Sequence, residues 1–181
     1  VEILQIVLTI TQGVVVASFP LLMAYAVVSD FRYFQIPNWP SVIVAIAFLP
    51  AALLGGVDFL AVAVHYGTGL ALFAGGAILF ARGFIGGGDV KLLAAAGVWI
   101  GWADIAPYLL LVALFGGAVA LIVLCLRRLA DRLPSLARAP WLRQHLVKEQ
   151  GIPYGVAIGL AAIFMFFRSA VVPWSWTVMF F

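Results

Sequence analysis

Gly86-Gly87-Gly88-Asp89-Val90-Lys91-Leu92-Leu93-Ala94-Ala95-Ala96-Gly97-Val98-Trp99-Ile100-Gly101-Trp102 is the segment on which the reading of this chain turns. Beyond Lys91 it is a continuous apolar run with no period-2 alternation, so it reads as a helix and not as a barrel strand. At 1.5 Å per residue, residues 89–102 reach about 21 Å, short of the ~30 Å of a hydrocarbon core. Such a helix crosses a bilayer only if one end starts below the surface or the bilayer thins. Asp89 is thereby drawn into the headgroup boundary, where a carboxylate is costly and needs a reason. Three glycines ahead of a helix are also costly for local order, and they are expected to allow unusual backbone angles and close approach by another segment. Once the helix starts, its dipole favours the Asp89 anion.

The rest of the chain has the same character. Of 181 residues, 66% are hydrophobic and 9% charged, and the mean hydropathy is +1.19. A soluble domain carries about 25% charged residues, so this chain lacks the polar surface to cover a water-facing particle. Disordered, collagen-like and disulfide-scaffold classes are excluded on the same grounds, and a polytopic all-α membrane protein remains. The single cysteine, Cys125, can form neither an intrachain disulfide nor a cysteine-based zinc cluster. A net charge of +3 is too small to suggest nucleic-acid binding. The first residue is Val1, and residues 4–28 are too long for a signal-peptide core and lack basic residues ahead of them, so they read as a retained span.

Six spans are expected, at residues 4–28, 39–54, 59–81, 89–102, 105–126 and 152–171, making 1–181 a single transmembrane domain. Lys and Arg set the orientation. Arg32 lies in the first connection, Arg82 in the third with Lys91 just beyond, and six basic residues fall in the fifth, 127–151; the connections near 55–58 and 103–104 have none. The basic connections are therefore cytoplasmic and both termini face outward. Around 141–148, Trp141, Leu142, Leu146 and Val147 alternate with Arg143, Gln144, His145 and Lys148, which suits either an interfacial stretch on anionic lipid or a solvated positive loop. Pro173-Trp174-Ser175-Trp176 is expected in the outer aromatic belt.

Seven acidic residues remain to be explained. Glu2, Asp58 and Asp104 mark outer span ends, and Asp131 and Glu149 sit among basic residues. Asp30 and Asp89 each close the cytoplasmic end of an apolar span, so topology places two carboxylates at one depth. A close pair of that kind holds one proton between its members. One carboxylate can then activate water while its protonated partner polarises a carbonyl, and either can take either role. The chemistry calls for no metal and no cofactor. The bland alternative is that Asp89 caps the fourth helix and Asp30 ends the first. Asn38, before Trp39-Pro40, is expected as the N-cap of the second helix, with a bond to substrate or to a catalytic Asp as the functional option. Lys91, at i,i+2 from Asp89, cannot face it on the same helix and is expected to snorkel to phosphates or to stabilise a bound anion or the bundle. His65 reads as a packed or interhelically bonded histidine. Gly67, Gly69, Gly75, Gly76, Gly116 and Gly117 are expected to allow close helix contact.

These residues resemble a known family. Gly86-Gly87-Gly88-Asp89 fits the GxGD signature of intramembrane aspartyl proteases, the stretch from Asp30 through Arg32 to Ile36-Pro37-Asn38 is similar to the "D…R…IPN" stretch of type IV prepilin peptidases, and Pro153-Tyr154-Gly155 is similar to the PYG motif that opens their last helix. The resemblance implies an aspartyl endopeptidase of the bacterial inner membrane that removes a short basic leader from type IV prepilins on the cytoplasmic side. Asp30 and Asp89 would be the catalytic pair. Gly86, Gly87, Gly88, Asn38, Lys91, Pro153, Tyr154 and Gly155 would bind substrate or shape the site. The absence of CxxC motifs resembles the short, peptidase-only branch serving tight-adherence (Tad/Flp) pili, for which no methyltransferase activity is expected. Archaeal preflagellin peptidases share the signature, and presenilin-like proteases fit less well. A proton or cation relay through the two aspartates is the rival reading, and it would need polar residues through the bundle midplane, where few occur. A non-catalytic pilus-assembly scaffold is the third, and it would tolerate loss of both carboxylates. The sequence does not give the oligomeric state.

Overall fold

A computed structural model describes residues 2–132, 145–146 and 151–166. The chain is all-helical there, with no strand among the described residues. The helices are α1 (Glu2–Tyr33), α2 (Asn38–Leu54), α3 (Phe59–Ala81), α4 (Gly87–Ile100), α5 (Ile105–Arg132) and α6 (Tyr154–Met165). Of these, α1, α3 and α5 are long and apolar enough to cross a membrane, while α2 and α6 are shorter apolar helices. The chain is accordingly a multi-pass membrane protein. The expected span at 152–171 is described only as far as residue 166, and the aromatic segment at 173–176 lies outside the described residues, as do Trp141, Leu142, Arg143, Gln144, Val147 and Lys148.

α4 is the axis of the bundle. It spans 14 residues, and from Ala94 to Ile100 every side chain is buried. α3, α2 and α6 pack around it, and α1 packs against α2 and α6. Because α4 carries mostly Ala, Gly and Val, its neighbours can approach closely. A Cβ on Gly69 of α3 would collide with Val98 of α4, one on Gly97 with Leu72 of α3, and one on Gly76 would come within 2.8 Å of Val90. Gly116 is packed against Tyr154 in the same way. Gly67, Gly75 and Gly117, expected in the same role, face open space, so only one side of each glycine pair is used.

The end of α4 away from Asp89 is a closed aromatic core. Trp99 is fully buried, its indole N–H donates to Val44 O at 2.8 Å, and its ring lies 4.8 Å from Phe19 and 5.7 Å from Phe48. His65 is a packed interhelical histidine, as its sequence setting suggested. Its Nδ1 lies 2.7 Å from Val98 O, and since a carbonyl only accepts, Nδ1 carries the proton. Asp58 caps α3 through Leu60 and Ala61 N–H groups at 2.8 and 3.3 Å.

Candidate active site

At 32 residues α1 is about 48 Å long, more than the ~30 Å hydrocarbon core. Asp30 lies in its last turn. Asp30 is buried. Its Oδ2 accepts the Val156 N–H at 3.1 Å, and the Gly155 N–H also bonds its carboxylate. These amides belong to the first turn of α6, where backbone N–H groups lack helical partners and the dipole favours an anion. Asp30, from α1, thus closes the N-terminus of a helix more than a hundred residues away. The contact depends on Gly155, because an added Cβ there would lie 2.8 Å from Asp30 Oδ2 and would strike Ile36 Cδ1.

The turn after α1 is fixed by two bonds. Ser29 Oγ donates to Gln35 O at 2.8 Å, and Phe34 N–H donates to Asp30 O at 2.9 Å. Between them Phe34 adopts φ 52°, a left-handed conformation that costs a non-glycine residue about 1 kcal/mol or more. Its ring and that of Phe31 pack on buried His145, with centroids 5.0 and 4.6 Å away. Arg127 Nε donates to His145 O at 2.9 Å, so the described part of the basic connection is folded against the end of α1. The turn delivers Ile36 as a wedge between two helix starts. A Cβ on Gly88 would sit 3.1 Å from Ile36 Cβ, and Gly155 closes on Ile36 from the α6 side.

Asp89 is the third residue of α4, not the first, because the helix begins at Gly87. Its Oδ2 accepts the N-cap Gly86 N–H at 3.3 Å, the reach-back that an N3 acid makes in a capping box. The expected unusual backbone angles are absent from the triplet: Gly86 is at φ −74°, ψ 148°, and positive φ among glycines occurs at Gly56, Gly83 and Gly101. Close approach is what the glycines provide, and unequally. A Cβ on Gly86 would lie 2.9 Å from Asp89 Oδ2, one on Gly88 would press on Ile36, and one on Gly87 would meet Phe80 at an ordinary 3.4 Å.

Both carboxylates line one cavity of about 490 Å³, together with Gln35, Pro37 and the glycine triplet. They are near enough for Asp89's charge to act on Asp30. The resulting arrangement is two acids from different helices, each held by backbone N–H and facing a common space. Among the described residues no three of His, Cys, Asp and Glu gather as a metal site.

Asn38, Lys91, Pro153 and Tyr154 are not among the residues lining this cavity. Asn38 does not cap α2: Pro37 is the N-cap residue, no side chain caps the helix, and Asn38 is its first residue. Its Oδ1 instead accepts from Lys91 Nζ at 2.7 Å, which joins α2 to α4 and gives Lys91 the bundle-stabilising role that is one of those expected for it. Pro153 is the N-cap residue of α6. Tyr154 turns away from the acids and packs on Gly116 of α5. Sequence reasoning gave no role to Ser29, Phe34, Ile36 or Val156. Ile36 stands in the sequence only as part of the Ile36-Pro37-Asn38 stretch, and nothing local marks it as a wedge.

The type IV leader peptidase family matches residues 17–122, a segment that contains Asp30, Asp89, Asn38 and Lys91 and stops short of Pro153-Tyr154-Gly155. A prepilin leader peptidase/N-methyltransferase of Pectobacterium carotovorum subsp. carotovorum is 45% identical over 58 residues, 32% of this chain and 20% of the relative. One of Dickeya chrysanthemi, with the same description, is 40% identical over 65 residues, 36% of this chain and 23% of the relative. Each match spans under a quarter of the relative's length. No solved structure matches the chain. With the family match extending over more than half of the sequence, the chain belongs to the type IV leader peptidase family.

Proposed function

We propose that this protein is an intramembrane aspartyl endopeptidase that removes the leader peptide from type IV prepilins, of the Flp type, at the cytoplasmic face of the bacterial inner membrane. The observation that carries the reading is the shared cavity: Asp30 and Asp89, 59 residues apart in sequence, line one space at the ends of two helices. Family membership supports the reaction class, and the activity of the two relatives supports the substrate class. The Flp-type assignment rests on the resemblance alone.

In this reading the chain crosses the membrane six times with both termini outward, and the basic connections hold the acid cavity at the cytoplasmic leaflet. The two carboxylates share one proton, since like charges in a confined site repel. The ionised member takes a proton from water as it attacks the scissile carbonyl, and the protonated member donates toward the carbonyl oxygen. The amides of Gly155 and Val156 hold Asp30 in place, and that of Gly86 holds Asp89, so little reorganisation is needed when charge moves. Gly86–Gly88 leave room for an extended substrate backbone to enter beside Asp89.

The test is leader removal from a co-expressed Flp-type prepilin in membranes, and then by purified protein. Processing by the purified chain, abolished by Asp30→Asn and by Asp89→Asn with insertion intact, is the expected result. Substantial cleavage by either single variant would remove the dyad.

A further inference from the structure

A second hollow begins where the acid cavity ends. α4 forms its floor and α2 and α3 its walls, and its volume is about 320 Å³. Lys91 and Asn38 stand at the end next to Asp89, and Tyr66 closes the other, its hydroxyl donating to Ala45 O at 2.9 Å. Between these ends the lining is apolar apart from Ser41, and Lys91 is the one charged residue in it. The open side carries Val42, Leu70 and Phe73, which are 53%, 69% and 43% exposed. Ser41 also lines the groove, and although only 5% exposed its hydroxyl has no hydrogen-bond partner among the described residues.

We propose that this groove holds one anionic phospholipid of the surrounding leaflet, with the phosphodiester on Lys91 and an acyl chain lying along α4. The form of the groove suits a chain: it runs about 10 Å from Lys91 to Val98 along α4, apolar along most of its length and open on the side of Val42, Leu70 and Phe73. Charge selects the headgroup. Lys91 spends one of its three donors on Asn38, which fixes the ammonium at the groove mouth and leaves two for phosphate oxygens. Ser41, near that mouth on α2, offers its hydroxyl to the ester region. The inference rests on the bilayer placement proposed above, and not on leader cleavage.

The experiment uses the full chain in liposomes with no prepilin present. Phosphatidylglycerol carrying a photoreactive group in its acyl chain is incorporated, and labelled residues are mapped by mass spectrometry. Labelling is expected to concentrate at least fivefold on Val42, Leu70 and Phe73 over Leu21, Leu110 and Leu121 of α1 and α5, which are 69%, 60% and 65% exposed. Ala45→Phe, which fills the groove, should remove the excess and leave α1 and α5 labelling unchanged. Lys91→Gln should lower the preference for phosphatidylglycerol over phosphatidylcholine about fivefold, the effect of one lysine near a charged surface. Even labelling of all exposed leucines overturns the site, as does an excess untouched by Lys91→Gln. If Ala45→Phe fails to insert, the wild-type map and Lys91→Gln decide alone. Absence of groove labelling in a preparation that cleaves prepilin in a separate assay would overturn the lipid site and spare the peptidase.

Discussion

The first turn of α4 lies against Ile36 and a cavity lined by both carboxylates, while its last turn is buried among aromatic rings and the His65 imidazole. Both ends are built with glycine. At the first turn, Gly86 and Gly88 omit a Cβ so that a carboxylate and a wedge side chain can come near. At the last, Gly101 has φ 75° and lies so near His65 that a Cβ would be 2.6 Å from its ring. At one end the missing side chain leaves a cavity with charged groups facing it, and at the other the space is filled by an aromatic ring and the α-helix is stopped. The same residue type therefore has different consequences, set by whether its neighbour is a reacting group or a packed one. A substitution at the first kind of glycine should cost activity, and at the second it should cost stability.

The carboxylates set the upper limit of the comparison. Asp30→Asn and Asp89→Asn keep size and hydrogen bonding to the backbone N–H groups but remove the ability to share a proton. Each is expected to lower leader cleavage on the order of 10³-fold or more, read on immunoblots of co-expressed prepilin, with unchanged membrane insertion. A variant retaining a tenth of wild-type processing would mean that the first turn of α4 is a structural cap like any other.

Next in size is Gly155→Ala. Its methyl group would occupy the space between Asp30 and Ile36, so α6 must retreat and carry the amides of Gly155 and Val156 with it. Displacement of a catalytic group by about 1 Å can cost roughly 10²-fold. The expected result is a loss of that order in single-turnover cleavage, with a smaller effect on the thermal midpoint in detergent. Equal loss of activity and folded protein would show instead that the glycine serves packing alone.

Gly101→Ala is the counterpart at the far end. A left-handed φ and the His65 ring both oppose a Cβ, so a destabilisation of about 1–2 kcal/mol is expected, or a midpoint lower by about 5 °C for a chain of this size. Protein that remains folded should cleave at the wild-type rate. A rate loss beyond threefold at matched folded concentration would break the contrast between the two ends.

Much of this arrangement could be read in the sequence, because hydropathy and acid cost are local properties. The extent 59–81 is α3 itself, and Asp30 and Asp89, singled out by their cost near a bilayer, line one cavity. What could not be read depends on pairs that meet only in the fold. Asn38 has every local mark of an N-cap, yet Lys91 lies 53 residues away and donates to it. Tyr154 follows Pro153 in a motif that suggests nearness to the acids, but its ring faces α5, because the first residue of a helix points wherever its neighbouring helix is open. Gly67, Gly75 and Gly117 resemble Gly69, Gly76 and Gly116 in composition and differ only in which face of the helix meets a partner.

The smallest expected effect makes the sharpest test of that last point. Gly86, Gly87 and Gly88 are consecutive and chemically identical, so composition assigns them one role. Their surroundings assign three: a Cβ on Gly86 meets the Asp89 carboxylate at 2.9 Å, one on Gly88 meets Ile36 at 3.1 Å, and one on Gly87 meets only Phe80, at a normal contact distance. Gly87 is also the first residue of α4, with helical neighbours after it. Alanine there relieves the entropy that glycine loses on folding, a gain of up to about 1 kcal/mol in a helix. Gly87→Ala should therefore leave cleavage within about twofold of wild type and leave the thermal midpoint unchanged or a few degrees higher. Gly88→Ala, one residue on, must push Ile36 back by a few tenths of an ångström and with it the wall shared by both acids. If Gly87→Ala is as damaging as Gly88→Ala, the requirement at this turn is backbone freedom during catalysis. If the two separate as expected, the requirement is the close approach of particular atoms, and the middle glycine of the motif is free to vary.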